Sequence, residues 1–216
     1  TVAAIDSYAD VFYPNLVQEA STVTNAMGAS TGAGVRIRTL VNDLRDASSA
    51  VVEPYLRHVT MAAGAESAIL LEASYDDGTG AAVTLQEAGT FAPRIVGSIL
   101  TGSERFAVEE TSPFTEPALV FRNAMGGNAM GDRLDEGSVV RIADAASENR
   151  SIAPVFVDVA GGDLHVMPAS PTVDLVAASE APPEDVDGHA RPQGALSDLG
   201  ADELVPCSAT ASVTLA

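Results

Sequence analysis

The stretch that decides the predicted fold is AILLEASYDDGTGAAVTL, residues 68–85. A short apolar run over residues 68–75 meets a cluster of Asp, Gly and Thr at residues 76–80, which is a strong turn signal. Residues 83–86 then alternate between apolar and polar side chains, as a strand does when it buries one face. Strand, tight turn and strand together predict a β-hairpin.

Further strand candidates follow the hairpin at short and fairly regular intervals. They are residues 94–100, 105–110, 118–123, 138–143, 152–159, 164–167, 172–177 and 208–215. Gly161-Gly162-Asp163 predicts a second hairpin between two of them. Eight or more short strands with Gly and Pro turns predict a mainly β chain, folded as an antiparallel β-sandwich or jelly roll. Because no long helical pattern alternates with the strands, a parallel α/β sheet is not expected.

The two ends of the chain differ from this middle part. Residues 5–20 are expected to be helical or irregular up to Pro14, and the apolar spacing over residues 36–50 predicts a short helix. Residues 179–206 lack periodicity and are rich in Pro, Asp and Gly.

This composition predicts an extended C-terminal arm that lies on its own domain or on a neighbouring subunit. The predicted organisation is an N-terminal segment at 1–66 that belongs to the same domain, a β-rich core at 67–178, and the arm at 179–216. The arm ends in a possible strand.

The charge of the chain removes several classes of function. No lysine is present, and 11 basic residues, all Arg, stand against 30 acids, which gives a formal net charge of -19. A phosphate-binding P-loop, a Schiff-base enzyme and a pyridoxal enzyme each need a lysine. Scattered arginines in such an acidic chain predict no direct binding to nucleic acid and no attraction to anionic membranes.

The origin of the charge has two explanations. A GC-rich genome accounts for arginine in place of lysine, whereas adaptation to high salt also accounts for the acid excess, because salt screens the repulsion among acids. The sequence favours the second explanation. No apolar run reaches the length of a membrane span, so membrane insertion is not expected.

Metal and cofactor sites are not predicted. Cys207 is the single cysteine, which excludes an intrachain disulfide and a cysteine-based metal cluster. His58, His165 and His189 are far apart and lack the spacing of metal-binding pairs. Residues 185–188, Asp-Val-Asp-Gly, resemble the start of a calcium-binding loop but lack its third acidic position and its distal Glu.

No catalytic residue is predicted either. Residues 28–32 match the G-x-S-x-G pattern of a hydrolase nucleophile elbow, but too few residues precede Ser30 for the strands that the elbow needs. Residues 28–34 resemble the cofactor fingerprint of short-chain dehydrogenases, whose catalytic lysine this chain cannot supply. Thr1 suggests an N-terminal nucleophile without the partners that it would require.

Two short motifs have structural readings. Asn-Ala-Met-Gly occurs at 25–28, 123–126 and 128–131. It is expected to form surface loops of small residues, which an adaptable Met could turn into contact loops. Residues 149–151 form a glycosylation sequon.

These observations predict a non-enzymatic structural assembly protein. The expected setting is a virion, as a capsid, cement or tail component of a virus with a halophilic or high-GC host, found in the virion or in the host cytoplasm before assembly. Its expected partners are copies of itself and other structural subunits, with no small-molecule cofactor. The first alternative is a ligand- or carbohydrate-binding β-sandwich. A second alternative, ranked below it, is a serine hydrolase that uses Ser30.

Overall fold

The computed structural model describes residues 5–11, 18–19, 22–24, 27–28, 35–41, 51–52, 55–64, 66–75, 90–91, 94–110, 119–135, 138–140 and 148–206. These residues contain β-strands and turns but no helix. The strands are β1 (Ile5–Val11), β2 (Gln18–Glu19), β3 (Thr22–Thr24), β4 (Met27–Gly28), β5 (Val35–Val41), β6 (Val51–Val52), β7 (Tyr55–Arg57), β8 (Thr60–Gly64), β9 (Ile69–Tyr75), β10 (Thr90–Phe91), β11 (Arg94–Val96), β12 (Ile99–Ser103), β13 (Phe106–Glu110), β14 (Leu119–Phe121), β15 (Gly131–Asp135), β16 (Ser138–Val140), β17 (Phe156–Asp158) and β18 (Asp163–Val166).

The strands described before residue 136 form four ladders of parallel strands. In chain order they are β1-β5-β9-β13-β15, β2-β6-β10, β3-β7-β11-β14 and β4-β8-β12. Among the described residues, successive coils visit the ladders in the same order, and the coil with β13 and β14 has no described strand in the second ladder. The architecture of these strands is a parallel β-solenoid. Tyr55 pairs with Arg94 and Arg94 pairs with Leu119, so these successive coils are 39 and then 25 residues long.

Stacked apolar side chains form the interior of the solenoid. Leu56, Ile95 and Val120 occupy one register position on three successive coils, and all three are buried. Ile69 and Val108 pair in the first ladder and are also buried. Burying one such side chain contributes about 1.5 to 3 kcal/mol. Short strands therefore suffice, because every coil repeats the contact.

A column of left-handed residues turns the chain between the third and fourth ladders. His58, Gly97, Arg122 and Glu148 have φ angles of 50°, 66°, 53° and 56°. Each of these residues lies two positions before a residue that pairs in the fourth ladder, or in the isolated bridges that continue this ladder. Only one of the four residues is a glycine. The stacked hydrogen bonds of neighbouring coils hold this conformation, which non-glycine residues adopt rarely.

Stacked asparagines satisfy the backbone next to this turn. The Oδ1 atom of Asn149 accepts hydrogen bonds from the backbone nitrogen and from Nδ2 of Asn123, at 2.9 and 3.1 Å. Nδ2 of Asn149 donates to the carbonyl oxygen of Val120 at 2.7 Å. Asn123 itself accepts from the backbone nitrogen of Ser98 at 2.8 Å. These side chains therefore connect coils at a position where the strands are interrupted.

Residues 151–206 fold back onto the side of the solenoid. They contain the antiparallel pair β17 and β18 and otherwise consist of turns. Their apolar side chains cover Ile99 and Ala124 of the solenoid. The covering residues are Val166, Val176, Ala181 and Leu199, with Ile152, Phe156, Val173, Leu175 and Leu204 at the margin.

The prediction of an antiparallel β-sandwich or jelly roll is wrong. Strand β9, the first strand of the predicted hairpin at 68–85, pairs in parallel with β5 and β13. The predicted turn and second strand lie outside the described residues. A stretch of alternating side chains fixes which face is buried but does not fix the partner strand, and here the partners lie on the neighbouring coils.

The prediction of helical structure near the N-terminus is also wrong. Residues 35–41 form β5, and residues 5–11 form β1. These two strands pair over seven positions, from Ile5 and Val35 to Val11 and Val41. Pairing of β5 with β1 on one side and with β9 on the other has overridden the helical spacing.

Several other expectations concern the rest of the chain. The predicted hairpin around residues 161–163 is confirmed by β17 and β18. Of the strand predicted at 172–177, only Val176 pairs, with Ser197. The strand predicted at 208–215 lies outside the described residues, and the boundaries at 66/67 and 178/179 stay predictions. A search of the described part finds no helix with the length and apolar character of a membrane span.

Candidate functional site

A seam of hydrogen bonds joins the C-terminal segment to the solenoid at the left-handed turn. The backbone nitrogen of Gly200 donates to the carbonyl oxygen of Gly97 at 2.8 Å. The next backbone nitrogen, of Ala201, donates to the hydroxyl of Thr60 at 2.9 Å. On the same side, Nδ1 of His58 lies 3.3 Å from the carbonyl oxygen of Gly200. Residues 200 and 201 thus contact two coils of the solenoid at once.

Two arginines of the solenoid bind the C-terminal segment at a second place along this seam. Nε and Nη2 of Arg57 donate to the carbonyl oxygen of Glu180, at 3.2 and 2.5 Å. Arg122 forms ion pairs with the carboxylates of Glu180 and Glu148. Its hydrogen bond to Glu148 lowers the pKa of that carboxyl. The guanidinium of Arg122 also lies 4.7 Å from the centre of the Phe121 ring.

His58 is enclosed by this seam. Burial, with the charges of Arg191 and Arg57, lowers the pKa of His58 to about 3. The ring is therefore neutral near pH 7, with Nδ1 as the donor to the Gly200 carbonyl. Among the described residues, its Nε2 atom has no hydrogen-bond partner. The ring is a packed structural group, because a Cβ atom on Gly97 would come within 2.6 Å of Nε2.

A buried ion pair lies behind the seam. Nη1 of Arg191 lies 3.1 Å from Oε2 of Glu203, and its Nη2 donates to the carbonyl oxygen of Gly200 at 2.9 Å. Glu203 also accepts from the backbone nitrogens of Gln193 and Asp198, at 2.8 and 2.9 Å. Burial lowers the pKa of Arg191 and raises the pKa of Asp198 to about 6. These charges hold backbone groups together in the interior.

Asp185 organises the loop that resembles a calcium-binding loop. Its Oδ1 accepts from the backbone nitrogens of Asp187 and His189, at 2.9 and 2.8 Å. Its Oδ2 accepts from the backbone nitrogen of Glu203 at 3.1 Å. Burial opposes ionisation of Asp185, but the amide donors outweigh it and lower the pKa. Asp185 thus ties the loop to the buried Glu203 region.

A cluster of one histidine and three aspartates lies between this loop and the hairpin. Nδ1 of His165 lies 2.5 Å from Oδ1 of Asp163, and Nε2 lies 2.8 Å from Oδ2 of Asp187. Asp202 completes the group, and its Oδ2 accepts from the backbone nitrogen of Val166 at 2.7 Å. The hydrogen bond with Asp163 is the largest cause that raises the pKa of His165, and burial raises the pKa of Asp202.

The side chains in this cluster can serve as metal ligands. One donor atom from each of His165, Asp187 and Asp202 lies within 4.8 Å of the other two. Asp185, Asp187 and His189 form a second such group, which shares Asp187. The sequence analysis predicted no metal site and noted only that residues 185–188 resemble the start of a calcium-binding loop. Asp163, His165 and Asp202 could not be added from spacing, because the hairpin and residues 199–203 approach the loop only in the folded chain.

The other motifs of the sequence have structural roles or lie outside the described residues. Ser30 and Thr1 lie outside the described residues. The side chain of Asn149 in the sequon is buried, and its amide donates to Val120, so it is not available for modification in the folded chain. The neighbouring acids Glu109 and Glu110 pair with Arg105 and Arg133.

The tandem Asn-Ala-Met-Gly repeat has two different environments. In the copy at 123–126, the residues are buried, so the prediction of a surface loop is wrong there. In the copy at 128–131, the residues are half-buried or exposed, and Met130 is 53% exposed. Asn128 nevertheless plays the same role as Asn123, since it accepts a hydrogen bond from the backbone nitrogen of Ser103 at 3.1 Å.

Comparison with models of known protein families, with curated proteins and with solved structures finds no match for this chain.

Proposed function

We propose that this chain is a non-enzymatic structural protein that assembles with copies of itself and with other structural subunits. The setting that the sequence favours is a virion of a halophilic or high-GC host. The observation that carries the proposal is an apolar outer face along β17 and the residues on either side of it.

This outer face consists of Ala153, Val155, Val157 and Val159. Ala153, Val155 and Val157 alternate with the partly buried Ile152, Pro154 and Phe156, so they point away from the core, and Val159 is exposed in the turn that follows β17. A solvated strand face normally carries polar side chains. Met167 extends the face on the neighbouring strand, since its backbone nitrogen donates to Val155 at 2.8 Å.

We infer that a second copy of the chain covers this face. Within the described part, β17 pairs with β18 alone, so one edge of the strand is open to another strand. The four residues of this face carry no charge, and Asp158 between Val157 and Val159 is its one exposed acid, in a chain of net charge -19, so two copies meet there with few charges to repel each other. Salt should strengthen this contact because it screens the remaining repulsion.

The test is the mass of the protein in solution, measured by light scattering after size exclusion in low salt and in concentrated KCl. A discrete oligomer in KCl that dissociates in low salt is the expected result. Val157→Asp should leave a monomer in both conditions, and the isosteric Val157→Thr should weaken the oligomer if the aspartate variant does not fold. Met130→Asp is the matched control, because Met130 is 53% exposed and Val157 is 54% exposed.

Two results would contradict the proposal. A wild-type protein that is monomeric in both conditions would exclude self-assembly. An oligomer that persists in Val157→Asp would exclude this face as the contact between copies. A monomer that binds an oligosaccharide would favour the alternative of a ligand-binding module.

A further inference from the structure

We propose that His165, Asp187 and Asp202 bind one divalent transition-metal ion of the zinc class. The ligands would be Nε2 of His165 and one carboxylate oxygen from each aspartate. This site does not depend on the assembly role, because His165 lies in β18, Asp187 and Asp202 lie outside the strands, and none of the three belongs to the outer face of β17.

The donor set selects the class of ion. Imidazole nitrogen suits zinc and its neighbours, whereas calcium takes six to eight oxygen ligands. Three protein ligands with a mixture of nitrogen and oxygen leave a position for water, as in open zinc sites. His165 supplies the only nitrogen of this triad, so it distinguishes the site from a group of acids.

The distances are close to those of a bound state. Two ligands that each lie about 2.0 to 2.2 Å from one ion are at most about 4.4 Å apart. The three donor atoms already lie within 4.8 Å of one another, and Nε2 of His165 lies 2.8 Å from Asp187. The side chains of His165 and Asp187 are each 42% exposed, so they can close the remaining gap without moving the core.

The state of Asp202 is an independent reason for a ligand. Asp202 is only 5% exposed. Within the described part of the chain it accepts one hydrogen bond, from the backbone nitrogen of Val166, although a carboxylate can accept about four. The remaining acceptor positions of this carboxylate are available to a metal ion.

The surrounding charges favour a cation as well. Asp163 and Asp185 add two carboxylates at the margin of the triad. The buried Arg191 is held by Glu203. A divalent ion would offset this local excess of negative charge.

The position of Asp163 matches a known supporting role. It contacts Nδ1 of His165, on the far side of the ring from Asp187. A carboxylate in this position fixes the histidine tautomer that leaves Nε2 free for a metal. Asp163 is therefore a positioning residue, and the ion would join the hairpin, the loop at 185–189 and residue 202.

The experiment is titration of the metal-stripped full chain with zinc chloride, followed by calorimetry and by elemental analysis after gel filtration. One zinc per chain is expected. His165→Gln and Asp202→Asn should each weaken binding at least tenfold, while the far-ultraviolet circular dichroism spectrum confirms that each variant is folded. Cobalt should give a visible absorption spectrum in the wild type that both variants lose.

Two matched controls locate the site. Glu104→Gln removes an exposed acid on a solenoid turn, and His189→Gln removes the histidine of the neighbouring group; both should bind zinc as the wild type does. No stoichiometric zinc in folded wild-type protein would overturn the proposal. Equal affinity in all variants, or loss of binding in His189→Gln alone, would overturn it too.

Discussion

The carbonyl oxygen of Gly97 accepts a hydrogen bond of 2.8 Å from the backbone nitrogen of Gly200. Gly97 belongs to the column of left-handed turns in the solenoid, and Gly200 belongs to the segment that covers it. Both have positive φ angles, of 66° and 85°. The contact lets two backbones approach each other where neither has room for a side chain.

Gly200→Ala should therefore detach the C-terminal segment from the solenoid. A Cβ atom would lie 2.4 Å from Oγ1 of Thr60 and 2.7 Å from Cδ1 of Ile99. Overpacking and the left-handed backbone together should cost about 2 to 5 kcal/mol of the free energy of unfolding. Urea unfolding and limited proteolysis of residues 151–206 measure the effect.

Gly188→Ala is the control for this substitution. Gly188 has a φ angle of 84°, and no atom lies within 4 Å of the position that a Cβ would take there, so only the backbone cost of about 1 kcal/mol applies. Equal losses in the two variants would show that the close approach does not matter.

Arg191→Met should destabilise the folded chain by about 3 to 5 kcal/mol, because it leaves the carboxylate of Glu203 buried without its cation. The loss should persist in concentrated salt, since buried pairs are screened little. Arg150→Met, at an exposed position, should change stability by less than about 0.5 kcal/mol. Chemical unfolding at two salt concentrations tests both, and a loss that salt abolishes would argue against a buried pair.

His58 should make the fold sensitive to acid. Its pKa is about 3 in the folded chain, and a histidine in the unfolded chain has a pKa of about 6.5. Between these values the unfolded state binds a proton that the folded state excludes, so stability falls as the pH falls. This residue alone should remove about 3 kcal/mol by pH 4.

The variant His58→Asn isolates this effect. Asparagine tolerates a positive φ angle and keeps a donor for Gly200, but it does not titrate. The difference in unfolding free energy between wild type and variant should shrink between pH 7 and pH 4. A constant difference across that range would mean that His58 is not buried as a neutral ring.

Asn123→Ala should cost about 2 to 4 kcal/mol. It leaves the buried backbone nitrogen of Ser98 and the carbonyl oxygen of Ile95 without their partners, which lie at 2.8 and 2.9 Å. Asn128→Ala removes an equivalent set of bonds at a half-buried position, where water can replace them, so its cost should be smaller. Thermal unfolding of both variants measures the difference, and the opposite ranking would contradict the role of the stacked asparagines.

The sequence could predict that strands dominate but not how they pair. The hairpin around residues 161–163 was within reach because its turn and both strands are adjacent in the chain. The solenoid was not, because its coils are 39 and 25 residues long at successive turns and so have no fixed period. Stacked positions also differ in chemistry: Thr60, Ile99 and Ala124 occupy one column.

The residues of the proposed metal site show the same division. Residues 185–188 carry a local pattern that suggested a cation loop, and the backbone amides of that loop do converge on Asp185. His165 and Asp202 carry no local pattern. They meet Asp187 only because the hairpin and the residues after Gly200 pack against the same part of the fold.

The position of the covering segment within the chain has a consequence for biosynthesis. Each coil pairs with the coil before it, so the solenoid can form progressively as the nascent chain leaves the ribosome. Residues 151–206 emerge after the coils that they cover, and until then Ile99 and Ala124 are exposed. A chain stalled or truncated before residue 151 would present this apolar column to chaperones and proteases, whereas synthesis of residues 151–206 hides it.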